Sequence, residues 1–208
     1  MRNRALLIAS VALMAYAGLA PGASATTIKT TAGVTVSSGA AISGSLKVGT
    51  SFVISGGSAG SITCTSSNYK GSINTNPSTL SVTGSSGPWP VGGCSETIPF
   101  VTLSTMTANA TAKTLTATYL GAASTLAISG FGWTVTFTDG KTCVYAPTTD
   151  PATAQHNSLT SPWNAEYAFA AIPLTKTGGT SFACPSANVT WSATYFATSG
   201  GVGITIQP

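Results

Sequence analysis

Charge is what this chain has least of. Its 208 residues include eight Lys and Arg, four Asp and Glu and one His, so charged side chains make up only 6% of the sequence. Both arginines, Arg2 and Arg4, fall in the first few residues, and the six lysines at 29, 47, 70, 113, 141 and 176 are scattered. Phosphate backbones are held by clustered Lys and by the planar fork of Arg, so nucleic acid is not a partner this composition supports. Attachment to an anionic membrane surface likewise lacks its polybasic cluster or amphipathic helix. Long apolar runs are missing after the N-terminus, and so is any sustained 3.6-residue spacing of apolar side chains among good helix formers, which excludes long helices. With one His, and no C-x-x-C pair among four cysteines, a structural metal site and a bound cofactor are not expected.

What is present begins with an export signal. Arg2 and Arg4 make a positive start, Ala5 to Leu19 an apolar stretch, and Ala23-Ser24-Ala25 a small-residue cleavage site. That stretch is shorter than the ~20 residues needed to span a bilayer, and Pro21-Gly22 follows it, so residues 1–25 read as a cleaved signal peptide rather than an anchor. The mature chain is expected to start at Thr26, to have no transmembrane segment, and to be secreted or loosely associated with the cell envelope. Residues 26–44 are poor in bulky side chains and read as a low-complexity arm or weak edge strand. Residues 45–208 read as a single domain, large enough to bury a real core.

Export places Cys64, Cys94, Cys143 and Cys184 in an oxidising compartment, where an even number of cysteines reads as disulfides. Four cysteines allow three connectivities. The sequential one, 64 with 94 and 143 with 184, is the favoured expectation; it closes spans of 30 and 41 residues, each worth about 3 to 4 kcal/mol in the chain-entropy model.

The dominant pattern has period two. Phe131, Trp133, Val135 and Phe137 alternate with Gly132, Thr134, Thr136 and Thr138, placing large apolar side chains on one strand face and mostly threonines on the other. Leu115, Ala117 and Tyr119 alternate with threonines in the same way, and so do Val189, Trp191, Ala193 and Tyr195 with Thr and Ser. Shorter strands are expected at 46–54, 61–65, 80–82, 100–103, 126–128, 142–145, 167–172 and 202–206, punctuated by Gly-Gly and Asp-Gly turns. A dozen short strands with one apolar face each define an all-β chain, an antiparallel β-sandwich, with a barrel as the alternative. Pro147 to Trp163 reads as a surface loop, the natural place for function.

The segments SITCTSSNYKG, GGCSETIPFVTL, LAISGFGWTVTFTDGKTCVY, SFACPSANVTWSATYF and the terminal ITIQP resemble a group of secreted β-proteins from actinobacteria. The similarity covers about residues 45–208. It implies a β-sandwich and the sequential disulfide pairing, and it transfers no catalytic residue.

The chemistry has to be judged on the residues themselves. Gly56-Gly57-Ser58-Ala59-Gly60 fits G-x-S-x-G, and Asp139 or Asp150 followed by His156 completes the chain order of an esterase triad. A nucleophile elbow needs a helix after its Ser, however, and here another strand follows, so the motif reads as a hairpin turn. The four acids, Glu96, Asp139, Asp150 and Glu166, are the only carboxylates for glycoside hydrolysis; Asp139-Gly140 and Asp150-Pro151 have turn roles of their own. No catalytic residue is therefore assigned. Trp89, between Pro88 and Pro90, and Trp163, after Pro162, are the two tryptophans that strand alternation does not explain. Each is a candidate for contact with a cell-surface glycan or protein, or else a ring closing one end of the core. The expected function is that of a noncatalytic structural or binding module, with a hydrolase acting on a glycan or ester as the competing class.

Overall fold

The computed structural model of the chain describes residues 26–76, 82–86, 89–109, 113–119, 124–156, 164–179, 184 and 187–208, with the backbone alone for 82–86. Residues 1–25 and Trp163 lie outside the described residues, and with them the expected signal peptide. Among the described residues there is no α-helix and all regular structure is strand, apart from one 3-10 turn at Gly57–Ala59. In chain order the strands are β1 (Thr27–Thr30), β2 (Ala41–Leu46), β3 (Phe52–Ser55), β4 (Ser61–Ile73), β5 (Val82–Ser86), β6 (Val91–Glu96), β7 (Leu103–Ala108) and β8 (Lys113–Tyr119). They continue with β9 (Ser124–Ser129), β10 (Trp133–Phe137), β11 (Thr142–Pro147), β12 (Ala152–His156), β13 (Glu166–Gly178), β14 (Asn188–Ser199) and β15 (Val202–Gln207).

Three long strands, β4, β13 and β14, organise the molecule, and each is flanked by two tiers of shorter ones. β4 pairs with β3 and β6 through residues 61–67 and with β2 and β5 through residues 68–73. β14 pairs with β3 at 190–192 and with β2 at 195–198, while β13 meets β12 at 167–168 and β11 at 174–178. One tier is thus β2, β5, β8, β9 and β12; the other is β3, β6, β7, β10 and β11. All pairings are antiparallel, and the fold is an all-β sandwich. It is not a regular barrel: β6 and β7 share no ladder, only an isolated bridge between Pro90, just ahead of β6, and Thr107 of β7, and registers slip in β10, β11 and β13.

The core lies between the walls, where inward residues of facing strands meet. Phe52 of β3 stands edge-on to Trp133 of β10 at 4.7 Å between ring centroids, and Trp191 of β14 stacks on Phe131 at 4.6 Å and on Phe169 at 4.5 Å. The period-two faces read from the sequence account for these contacts, since Trp133, Val135 and Phe137, and likewise Val189, Trp191, Ala193 and Tyr195, are all buried. One close approach depends on glycine. A Cβ on Gly44 of β2 would lie 2.1 Å from Cε1 of Tyr69, its cross-strand partner on β4, so the tyrosine ring occupies the space of the missing side chain.

Both disulfides have the expected connectivity. Cys64–Cys94 links β4 to β6 at directly paired positions, and Cys143–Cys184 ties β11 to the segment ahead of β14. Cys64 and Cys143 are fully buried, as their strand alternation required.

Several boundaries differ from the sequence reading. The strand expected over 46–54 is two strands, β2 and β3, separated by a turn that places Val48 in solvent and Gly49 at φ 79°. The strand expected at 100–103 starts at Leu103, because Phe100 adopts φ 65° and leaves the sheet. Pro147 to Trp163 is not one loop: Ala152–His156 forms β12, paired with β9 and β13. Its inward residues are Ala152, Ala154 and His156, too small or too polar to register as an apolar face.

The arm at 26–44 supplies β1, whose strand partner is β15; an isolated bridge joins Lys29 to Thr35 of the same arm. Five consecutive residues of β15, Gly203 to Gln207, are buried, so this strand is covered on both faces. Together β15 and β1 form a ribbon across one end of the sandwich. The side chain of Asn76 clamps it there, accepting from Ile28 N–H and donating to the carbonyls of Ile28 and Val36.

Candidate functional site

Trp89 does not face solvent. Trp89 and Pro90 stand directly ahead of β6, in the connection that carries the chain from β5 of one tier to the other tier, so Trp89 lies at the waist between the tiers and its ring turns inward. It is 2% exposed and packs against Tyr69 at 4.6 Å, Phe131 at 5.2 Å and Tyr195 at 5.3 Å. Its indole N–H donates to the Tyr195 hydroxyl at 3.1 Å, and that hydroxyl is 2.8 Å from Ser67 Oγ. Burial pushes the Tyr69 and Tyr195 phenols far above their ordinary value. The expectation of an exposed Trp89 surface is therefore corrected; the residue closes the core. Among the described residues the fully exposed aromatic is Phe100, in the connection between β6 and β7, which alternation had placed in a strand.

The triad candidates do not converge. Ser58 is exposed in the 3-10 turn joining β3 to β4, and no helix follows it. His156 is buried on β12, with Nδ1 3.4 Å from Ser124 Oγ and Nε2 2.9 Å from both the Asn164 carbonyl and Thr205 Oγ1. A carbonyl only accepts, so Nε2 carries the proton toward Asn164 and Nδ1 accepts from the Ser124 hydroxyl. Ser124 and Thr205 are fully buried, which seals this Ser–His contact from any substrate. Desolvation pulls the His156 pKa below the ordinary imidazole value.

Three of the acids serve structural contacts. Asp139 pairs with Lys141 at 2.8 Å across the β10–β11 turn, and that hydrogen bond lowers its pKa. Both carboxylate oxygens of Asp150 accept from Gly130 N–H, and Glu166 pairs with Lys47 at 2.8 Å. Among the described residues no group of three or more His, Cys, Asp or Glu could hold a metal ion, and no helix is long and apolar enough to cross a membrane.

Sequence reasoning missed the partners of His156. Strand parity carried a usable signal for one of them, Ser124, which shares its face with Leu126 and Ile128; it would have turned Thr205 outward, opposite Ile204 and Ile206, whereas that strand is buried on both faces. Asn76 and Asn164 lie just outside strands, where no periodicity marks them. Comparison with protein-family models, curated proteins and solved structures finds no match to the chain. The two disulfides point to an oxidising, extracellular environment.

Proposed function

We propose that this is a secreted, noncatalytic β-sandwich protein acting as a structural or binding module at the cell envelope or outside the cell. The observation that carries this reading is the use of His156, the only histidine, as an internal bolt between Ser124, Asn164 and Thr205. Acid–base or nucleophilic catalysis needs such a group open to substrate. Asp139, Asp150 and Glu166, held in turn and strand contacts, support the same reading.

The partner class is a neutral cell-surface glycan or a protein, because the surface offers hydroxyls and a few apolar groups rather than charge. Thr114, Thr116 and Thr118 line the outward face of β8, and Phe100 is exposed in the connection between β6 and β7. Trp163 remains a contact candidate by its Pro-bounded sequence.

The test begins with the protein from culture medium. N-terminal sequencing should start at Thr26, and alkylation without reduction should label no thiol. Retention on envelope polysaccharide should survive high salt, since few charges contribute, and should fall in Phe100→Ala or Trp163→Ala with melting unchanged. Failure to be retained by any envelope fraction would overturn the binding role. Turnover of an ester or glycan that depends on Ser58 or His156 would overturn the noncatalytic one.

A further inference from the structure

We propose that the β1–β15 ribbon is an acid-released plug, held in the end of the sandwich by neutral His156 and freed when that ring takes up a proton. The ribbon is set into the molecule but belongs only marginally to its sheet. β15 pairs with β14 at just two positions, Thr198–Gly203 and Ser199–Val202, and over the rest of its length its strand partner is β1. On its inner side Ile28, Ile204 and Ile206 line an apolar cavity opposite Ile42, Leu115 and Leu126. Removing the ribbon would therefore open an apolar chamber.

His156 is the titratable member of the fastening. The ring touches four elements: Ser124 of β9, Thr205 of β15, the Asn164 carbonyl ahead of β13, and the ring of Tyr167 on β13 at 5.0 Å. Tyr167 donates its own hydroxyl to the Ile204 carbonyl, and burial raises its pKa, so it stays neutral in acid. Glu166, next along β13, turns to Lys47. Among the described residues no carboxylate faces the imidazole, and a second ring proton on Nδ1 would meet the Ser124 hydroxyl while placing a cation in a buried site. Desolvation already holds its pKa low.

The remaining fastenings are indifferent to pH in this range. Among them are the Asn76 amide clamp, the Tyr167 hydroxyl, the bond from Tyr119 N–H to Thr26 Oγ1, and the backbone bond from Val36 N–H to the Ile28 carbonyl. With one histidine in the sequence, a transition between pH 7 and 5 has a single side chain whose ordinary pKa lies there. The α-amino group titrates above that window.

Hydrogen exchange of the mature, disulfide-intact protein at several pH values tests the plug, with rates corrected for intrinsic exchange. Opening of peptides covering 26–30 and 202–207 should increase by up to about tenfold per pH unit below about 6.5, until the folded-state pKa is reached. Peptides covering 131–137 and 189–195 should stay protected, and anilinonaphthalene sulfonate fluorescence should rise in step. In His156→Gln, which keeps a polar planar side chain that does not titrate, the pH dependence of the ribbon should disappear. The proposal is overturned if ribbon and body strands open together, or if the Gln variant retains the acid response. Should that variant fail to fold, wild-type exchange and the nuclear magnetic resonance titration of the sole histidine decide: an imidazole at its ordinary pKa, with ribbon protection unchanged, overturns it equally.

Discussion

At the scale of single residues, the aromatic cluster is where a small change has the largest effect. Trp89 fills the waist between the tiers, so Trp89→Ala should cost about 3 to 5 kcal/mol, as removal of a large buried ring does. Trp89→Phe keeps a ring but removes the N–H donor to Tyr195, and should cost less; chemical denaturation of both variants checks the order. Near-equal melting of Trp89→Ala and the parent would show that the ring is not part of the core. This residue also marks a limit of reading by sequence. A tryptophan between two prolines carries no periodicity, and its inward direction follows from the two tiers it connects, which only the strand pairing reveals.

At the scale of strands, β13 carries a defect with a measurable consequence. Its register slips between Phe169 and Ile172, where it passes from β12 to β11, and Ala171 takes φ 49° with its N–H bonded to Ser192 Oγ. A left-handed backbone is costly for a residue with a Cβ, so Ala171→Gly should stabilise the protein by about 1 kcal/mol, raising the melting temperature. The two disulfides act differently on their strands. Cys64–Cys94 joins partners already paired, whereas Cys143–Cys184 anchors a segment that reaches β14. Replacing either pair by alanines should cost about 2 to 5 kcal/mol, seen as a lower denaturation midpoint. Strands with bulky alternating faces, such as β10 and β14, were legible in the sequence. β12 was not, because alternation of Ala, Thr, Gln and His carries little hydrophobic contrast. The break between β2 and β3 was hidden by continuous β-forming composition on both sides of one turn.

At the scale of the whole molecule, stability should hold between about pH 6.5 and 10 and fall on both sides. On the acid side, His156 binds its proton more readily unfolded than folded, so the stability due to its neutral burial is lost as pH falls below the unfolded value. On the alkaline side, Tyr69, Tyr167 and Tyr195 hold their protons more tightly when folded, so stability is lost as pH rises past the unfolded phenol value. Thermal melts across pH check both limbs, and His156→Gln should flatten the acid limb alone. The all-β class was legible because successive side chains of a strand alternate between two faces, and bulky apolar residues alternate with threonine and serine in β8, β10 and β14. The site was less so: His156 was visible as a singular residue, but its partners come from β9, β15 and the segment ahead of β13, brought together by topology rather than spacing.

The pairing of the first strand with the last has a consequence in time. Thr27 lies opposite Gln207, so β1 is among the earliest segments of the described chain to be made and cannot find its partner until nearly every other residue has followed. A chain emerging from one end can assemble the long strands and their tiers as they appear, yet the β1–β15 pairing waits until residues 202–207 have been made. Loss of residues 202–207 would leave β1 without its partner strand, and the defect would surface at the far end of the described chain.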